Sequence, residues 1–417
     1  MSQSPFRAFM ALLSCALLLS AVGCSSSGSS PSSPSSPGTP APTGANVLAI
    51  SVNTGPTETA GLGPYTNGAF TSVTVCTPGS TTQCQTIGGI LVDSGSEGLR
   101  ILSSALSVTL TQQNDSSGNP IAECAPFASG VTWGPVQTGD VEIAGETAAS
   151  LPIQVIGAAS PPMPVACADE GSTVDSLDTL GANGILGIGV LPYDCNSACA
   201  PGGTNPDWYY TCPSAGCQVT TEALSAQVTN PIVLFTTDNN GSIIELPSVP
   251  AATAEVSLNG YLVFGIGTES NNALGSATIY GVDSVYGNFT TIFEDTSFTD
   301  SGFLDLGSNA LYFDPVSSGL AGTECEDAPY WYCPSANATF TAENEGVTNG
   351  NSGTVSFTVV DADSFIDNSE DDNDAVMNGL AGPFTGMFDW GMPFFFGVNV
   401  YTAIAGQSAA GAPYVAY

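Results

Sequence analysis

The chain has 417 residues, 42% of them hydrophobic, and carries 38 Asp and Glu against 2 Lys and Arg, with no His and a formal net charge of −36. So much apolar content excludes a wholly disordered chain. Without His or Lys there is no Ser-His-Asp or Cys-His catalysis, no Ser-Lys dyad, no Schiff base and no His-ligated metal, and the charge opposes nucleic-acid binding; carboxylates are the acid–base groups that remain. Charged residues are only 10% of the chain, so the imbalance is a shortage of bases. Near pH 3 such a chain carries little charge, which points to an acidic milieu; compositional drift in a neutral habitat is the alternative.

In chain order, residues 1–23 read as an export signal: Arg7, an apolar run from Phe9 to Leu19 too short to span a bilayer, then Ala21-Val22-Gly23-Cys24. Small residues leading into a cysteine resemble a bacterial lipobox, which implies lipidation at Cys24; plain secretion with a chance cysteine is the alternative. Residues 24–46 are a Ser/Pro-rich tether that cannot bury apolar area, and the folded body begins near Val47. The expected location is extracytoplasmic, at the cell envelope, with the membrane reached through the lipid anchor.

Besides Cys15 and Cys24 there are ten cysteines, an even number, as disulfides require. Cys76 with Cys84 and Cys325 with Cys333 are spaced as local bridges. The cluster Cys195, Cys199, Cys212 and Cys217 reads as two disulfides in an exported chain, with a four-thiolate zinc site as the alternative.

Short β-rich runs follow one another between turn clusters: 48–52, 71–75, 87–92, 141–143, 153–156, 231–236, 260–264, 277–280, 353–360 and 393–403. No long amphipathic helix competes with them, so the pattern predicts an all-β sandwich, barrel or double-lobed protein with few short helices.

An internal repeat narrows the choice. Ile90-Leu91-Val92-Asp93-Ser94-Gly95-Ser96 is echoed by Phe303-Leu304-Asp305-Leu306-Gly307-Ser308, and each copy is followed by an apolar-apolar-Gly run, Ile185-Leu186-Gly187 beginning 92 residues after Asp93 and Phe395-Phe396-Gly397 beginning 90 after Asp305. One such motif is weak in a Gly- and Ser-rich chain, whereas two with matched partners argue for duplication.

At these residues the chain resembles the pepsin-like aspartic peptidases. It is also similar to an uncharacterised family of cysteine-containing bacterial lipoproteins, through Asp194-Cys195…Cys199…Tyr210-x-Cys212…Cys217, Phe264-Gly265-Ile266-Gly267-Thr268 and Trp390-Gly391-x-Pro393-Phe394-Phe395. The resemblance implies a two-lobed, all-β double barrel with an inter-lobe cleft, an N-terminal lobe over 47–250 and a C-terminal lobe over 251–417. It implies Asp93 and Asp305 as a catalytic pair that activates a water, with no metal and no cofactor. Gly95 and Gly307 would admit close backbone approach, and Ser96 and Ser308 would hydrogen-bond the outer oxygens of their own aspartates. Ser94 would brace the opposite loop, a bond that Leu306 cannot return. Trp133 falls 40 residues after Asp93, where the peptidases carry a flap aromatic; an ordinary hairpin aromatic is the alternative. Asp300, in Asp300-Ser301-Gly302, is a rival second aspartate, disfavoured because no apolar strand leads into it.

The acidic stretch Asp361, Asp363, Asp367, Glu370, Asp371, Asp372 and Asp374 lacks the spacing of a Ca²⁺ loop and reads as a solvated loop. Trp208, Tyr209, Tyr210, Tyr330, Trp331 and Tyr332 flank cysteines, which predicts packing against disulfides, with a carbohydrate-binding face as the alternative. Three functions compete: an aspartic endopeptidase, a catalytically silent binder of peptides or structural surface lipoprotein, and a two-carboxylate glycosidase, whose carboxyls would stand about 5 Å or more apart. The expected partner is a peptide or protein, and the expected state a monomer.

Overall fold

The computed structural model describes residues 42–56, 65–326, 328–366 and 374–417. The export signal, Cys24, the tether as far as residue 41, and Asp367, Glu370, Asp371 and Asp372 lie outside the described residues. The body is predominantly β, and no helix among the described residues exceeds four residues.

Two sets of five strands share one plan. In the first half these are Gly68–Cys76 (β1), Cys84–Asp93 (β2), Glu97–Leu102 (β3), Glu146–Ile156 (β4) and Gly184–Ile188 (β5). β1 and β2 form an antiparallel pair; β5 inserts parallel to β2 and antiparallel to β3, and β4 lies parallel beyond β3. In the second half Phe289–Phe293 (β6), Thr296–Leu304 (β7), Leu311–Phe313 (β8), Ala381–Pro383 (β9) and Phe388–Trp390 (β10) repeat the arrangement. There β10 inserts parallel to β7 and antiparallel to β8, with β9 parallel beyond β8.

An inserted strand has neighbours on both edges and is buried along its length. β5 reads Gly-Ile-Leu-Gly-Ile and every residue is buried. The crossing also needs glycine. A Cβ on Gly187 would stand 2.6 Å from the carbonyl carbon of Glu97, and one on Gly391, just after β10, would stand 2.0 Å from the carbonyl oxygen of Ala310.

The structure therefore corrects the partner assigned to Asp305 in the sequence. The crossing strand is Phe388-Asp389-Trp390 with Gly391, beginning 83 residues after Asp305, and not Phe395-Phe396-Gly397. Pro393 cannot donate to a ladder, and it opens a 3₁₀ turn over Met392–Phe395 that buries the phenylalanines. Likewise the expected strand at 231–236 is a 3₁₀ turn, Pro231–Leu234, capped by the Asn230 side chain accepting from the Ile232 N–H. Both misreadings took an apolar run bounded by proline for a strand.

Six further strands join the halves. Val47–Asn53 pairs with β1 and continues into Leu258–Phe264, Gly241–Glu245, Asn399–Ala403, Tyr414–Ala416 and Ile279–Gly281, so strands from both sides of residue 250 share one sheet. One large core cluster draws on both halves, from Val92 and Leu186 to Leu304 and Trp390.

All ten body cysteines are paired: Cys76–Cys84, Cys124–Cys167, Cys195–Cys199, Cys212–Cys217 and Cys325–Cys333. The four thiols left open to zinc are thus two disulfides. Tyr209 packs with Cys195 and Cys199, Tyr210 with Cys124 and Cys212, and Trp331 with Cys325. Five disulfides fit folding outside a reducing compartment, and no helix among the described residues is long and apolar enough to cross a membrane.

The crossing glycines supply a stability test. Gly391→Ala and Gly187→Ala are expected to lose about 3 kcal/mol or more in denaturant unfolding, because backbone, not a flexible side-chain end, blocks the new methyl. At Gly406, where φ is +75° and nothing lies within 4 Å, alanine is expected to cost about 1 kcal/mol.

Candidate active site

β2 ends at Asp93 and β7 ends just before Asp305, so each aspartate sits where a buried strand breaks into a glycine-containing turn. The Gly95 N–H donates to Asp93 Oδ1 (2.8 Å) and the Ser96 hydroxyl to Asp93 Oδ2. In the second copy the Gly307 N–H donates to Asp305 Oδ1 (2.7 Å) and the Ser308 hydroxyl to Asp305 Oδ2 (2.9 Å). The four bonds match one for one.

The two turns interlock. A Cβ on Gly95 would stand 2.6 Å from Asp305 Cγ, and a Cβ on Gly307 would stand 2.7 Å from Asp93 Oδ1. Glycine at both positions lets the carboxyl groups meet within hydrogen-bonding distance. Ser94 ties the turns together: its hydroxyl donates to the Leu304 carbonyl (3.1 Å) and accepts from the Leu306 N–H (2.9 Å), gripping the backbone on either side of Asp305. Leu306 returns no such bond and is wholly buried in the core.

Burial, then the charge of Asp93 and the bond to it, push the Asp305 carboxyl well above the usual carboxylate range, against the opposing bonds from Ser308 and Gly307. A shared proton is the physical result, since two adjacent carboxylates resist joint ionisation. Asp300 is exposed on β7, five residues before Asp305 and at φ +49°, and takes no part in the pairing.

A family model described as "Protein of unknown function (DUF3443)" matches residues 42–417. The chain belongs to that family. No curated protein matches it in sequence.

Trp133 is not the tip of a hairpin over the pair. It lies inside the strand Gly130–Ile143, is 3% exposed, donates from Nε1 to the Pro161 carbonyl (2.8 Å) and stacks edge-on against Tyr210 in the cluster around the Cys124–Cys167 disulfide. The hairpin tip is formed by residues 127–130, and Phe127 there lies over the Arg100 guanidinium at 5.5 Å. Counting forty residues from Asp93 thus falls within a strand of this hairpin, a few positions past its turn.

Arg100, on β3, is almost fully buried. It bonds Glu123 Oε1 (2.6 Å), Asp194 Oδ2 (3.0 Å) and the Glu97 carbonyl (2.7 Å). The single cation among the described residues is thereby neutralised away from Asp93 and Asp305.

Three acidic or phenolic groups near the pair were not singled out in the sequence. Burial and then repulsion from Asp93 are the forces that raise the Glu97 carboxyl, to about 8, while the Leu191 N–H and Arg100 oppose the rise. Asp389, on β10, is 6% exposed and is raised well above the usual range by burial and then by Asp305. Burial raises the Tyr65 phenol, and the charges of Asp93 and Asp305 raise it further. The signal for Asp389 was present: an acid between two aromatics, two residues before a crossing glycine.

Raised carboxyls make the fold acid-favoured. Between about pH 4.5 and 8 unfolded Glu97 has lost its proton and folded Glu97 keeps it, so the unfolding free energy falls as pH rises, by about 1.4 kcal/mol per pH unit for each such group. Denaturant unfolding is expected to show greater stability at pH 5 than at pH 8, and Glu97→Gln to flatten that slope.

Proposed function

We propose that this chain is an extracytoplasmic aspartic endopeptidase of two-lobed, pepsin-like architecture, held at the membrane through a lipidated Cys24. The observation that carries the reading is the meeting of Asp93 and Asp305 through interlocked Gly95 and Gly307 turns. The repeated strand plan on which each aspartate stands supports it.

The chemistry follows from unequal carboxyls. Asp305, whose carboxyl is pushed well above the usual range by burial and by Asp93, is assigned the shared proton in this proposal, and Asp93 the role of base. A water between them gives a proton to Asp93 and attacks the peptide carbonyl, while Asp305 protonates the developing oxyanion. Collapse of the tetrahedral intermediate then delivers a proton to the leaving nitrogen. Carboxyls within hydrogen-bonding distance disfavour the glycosidase reading, which needs about 5 Å or more between them.

Leu306 favours a second reading, a catalytically silent peptide binder, because it removes one of two possible cross-loop hydroxyl bonds. Ser94 offsets that loss by holding both the carbonyl before Asp305 and the amide after it. One missing hydrogen bond costs about 1 kcal/mol, too little to separate turns that interlock.

Hydrolysis of a mixed peptide pool between pH 2 and 7 decides between the two readings. The proposal predicts cleavage that a statine-type inhibitor blocks and that Asp93→Asn and Asp305→Asn each reduce by about 10³-fold or more. A well-folded chain that cleaves nothing across that range would leave the silent binder.

A further inference from the structure

The strand that crosses Asp305 brings a third carboxylic acid to the pair. Asp389 is the middle residue of β10, opposite Phe303 on β7 and Tyr312 on β8. Its neighbours Phe388 and Trp390 are fully buried among aromatic rings, and alternation along a strand turns Asp389 to the other face. There its carboxyl faces the turn that carries Asp305 and Ser308; the bond the Ser308 hydroxyl makes in the structure is the one to Asp305 Oδ2 at 2.9 Å. Asp389 Oδ1 is buried and has no hydrogen-bond partner among the described residues.

The first half has no counterpart. In the same register β5 places Ile185 opposite Leu91 and Arg100, so Asp93 and Ser96 have an alkyl group where Asp305 and Ser308 have an acid. The two aspartates therefore differ in this neighbour, in addition to the difference between Ser94 and Leu306 in their turns.

A serine hydroxyl has one hydrogen to give. Ser308 spends it on Asp305, so a bond between Ser308 and Asp389 needs a hydrogen from Asp389. The groups that face Asp389 are Asp305 and Asp93 from the two turns and Tyr312 from β8, with Tyr65 and Tyr330 adjoining Tyr312. All are anionic or neutral, and the only described cation, Arg100, is engaged with Glu123 and Asp194. Burial in that company keeps a proton on Asp389.

We propose that Asp389 is a positioning residue for Asp305: its proton is donated to Ser308 Oγ, which orients the Ser308 hydroxyl onto the outer oxygen of Asp305 and makes Asp305 a stronger acid than its burial alone would allow. The chain runs Asp389 O–H to Ser308 O–H to Asp305, and it stabilises Asp305 at the moment it gives up the shared proton. Ionisation of Asp389 reverses the device, because the Ser308 hydrogen is then drawn away from Asp305.

The inference rests on the paired-carboxylate site and is testable without hydrolysis. In the full chain, carbon-13 NMR of the aspartate carboxyls, with the pair identified by Asp93→Asn and Asp305→Asn, follows the pH at which the pair loses its last proton. Asp389→Leu is expected to raise that pH by about half a unit or more, because Ser308 loses its orienting donor. Asp389→Asn, whose amide still donates to Ser308, is expected to leave it where the native chain has it. Should Asp389→Leu fail to fold, Asp389→Ile, the residue β5 carries at the same register, is expected to move the titration in the same upward direction. An unmoved titration in the leucine variant, or an equal shift in leucine and asparagine variants, overturns the proposal. A titration shift in a chain that cleaves no peptide sinks the peptidase reading and keeps this one; cleavage with no shift does the reverse.

Discussion

Two carboxyl groups in hydrogen-bonding distance are the constraint on which the rest of this structure depends. Side by side they resist joint ionisation, and their joint burial carries a desolvation cost that only firmly held surroundings can sustain. The surroundings are built twice over. Each carboxyl takes an amide from its own glycine and a hydroxyl from its own serine, and each glycine leaves the gap that the opposite aspartate fills.

That arrangement dictates the architecture around it. Each aspartate must be delivered by a strand that cannot shift, which is why β5 and β10 insert parallel to β2 and β7 and take neighbours on both edges. The two turns must also be held in register with one another. A sheet with strands from both halves, together with the Ser94 bridge, does this without any bond from Leu306. The shortage of bases has a consequence at the same place. With Arg100 committed to Glu123 and Asp194, no cation is left among the described residues to separate the pair into two ordinary carboxylates.

Much of this was legible in the sequence because it rests on local chemistry. Asp-x-Gly-Ser twice over, the even cysteine count, the 8-residue spacing of Cys76 with Cys84 and Cys325 with Cys333, and the punctuated β runs each have a short-range cause. The second crossing strand was misplaced because Phe395-Phe396-Gly397 is more apolar than Phe388-Asp389-Trp390-Gly391, and hydrophobicity outweighed the possibility that an acid belongs inside the strand. Trp133 was misassigned because spacing locates a hairpin, whereas its turn is set by which residues bury against the Cys124–Cys167 disulfide. Glu97 and Tyr65 could not be read from sequence, since their proximity to Asp93 follows from how the turns fold back.

The most direct test of the account is a crystal structure of the chain at acid pH, at a resolution that separates protonated from ionised carboxyls. The account predicts Asp93 and Asp305 oxygens within about 3 Å of each other, one proton between the two groups, and the Gly95 and Gly307 turns interlocked across them. Carboxyls standing about 5 Å or more apart, or both ionised with a cation between them, would contradict it.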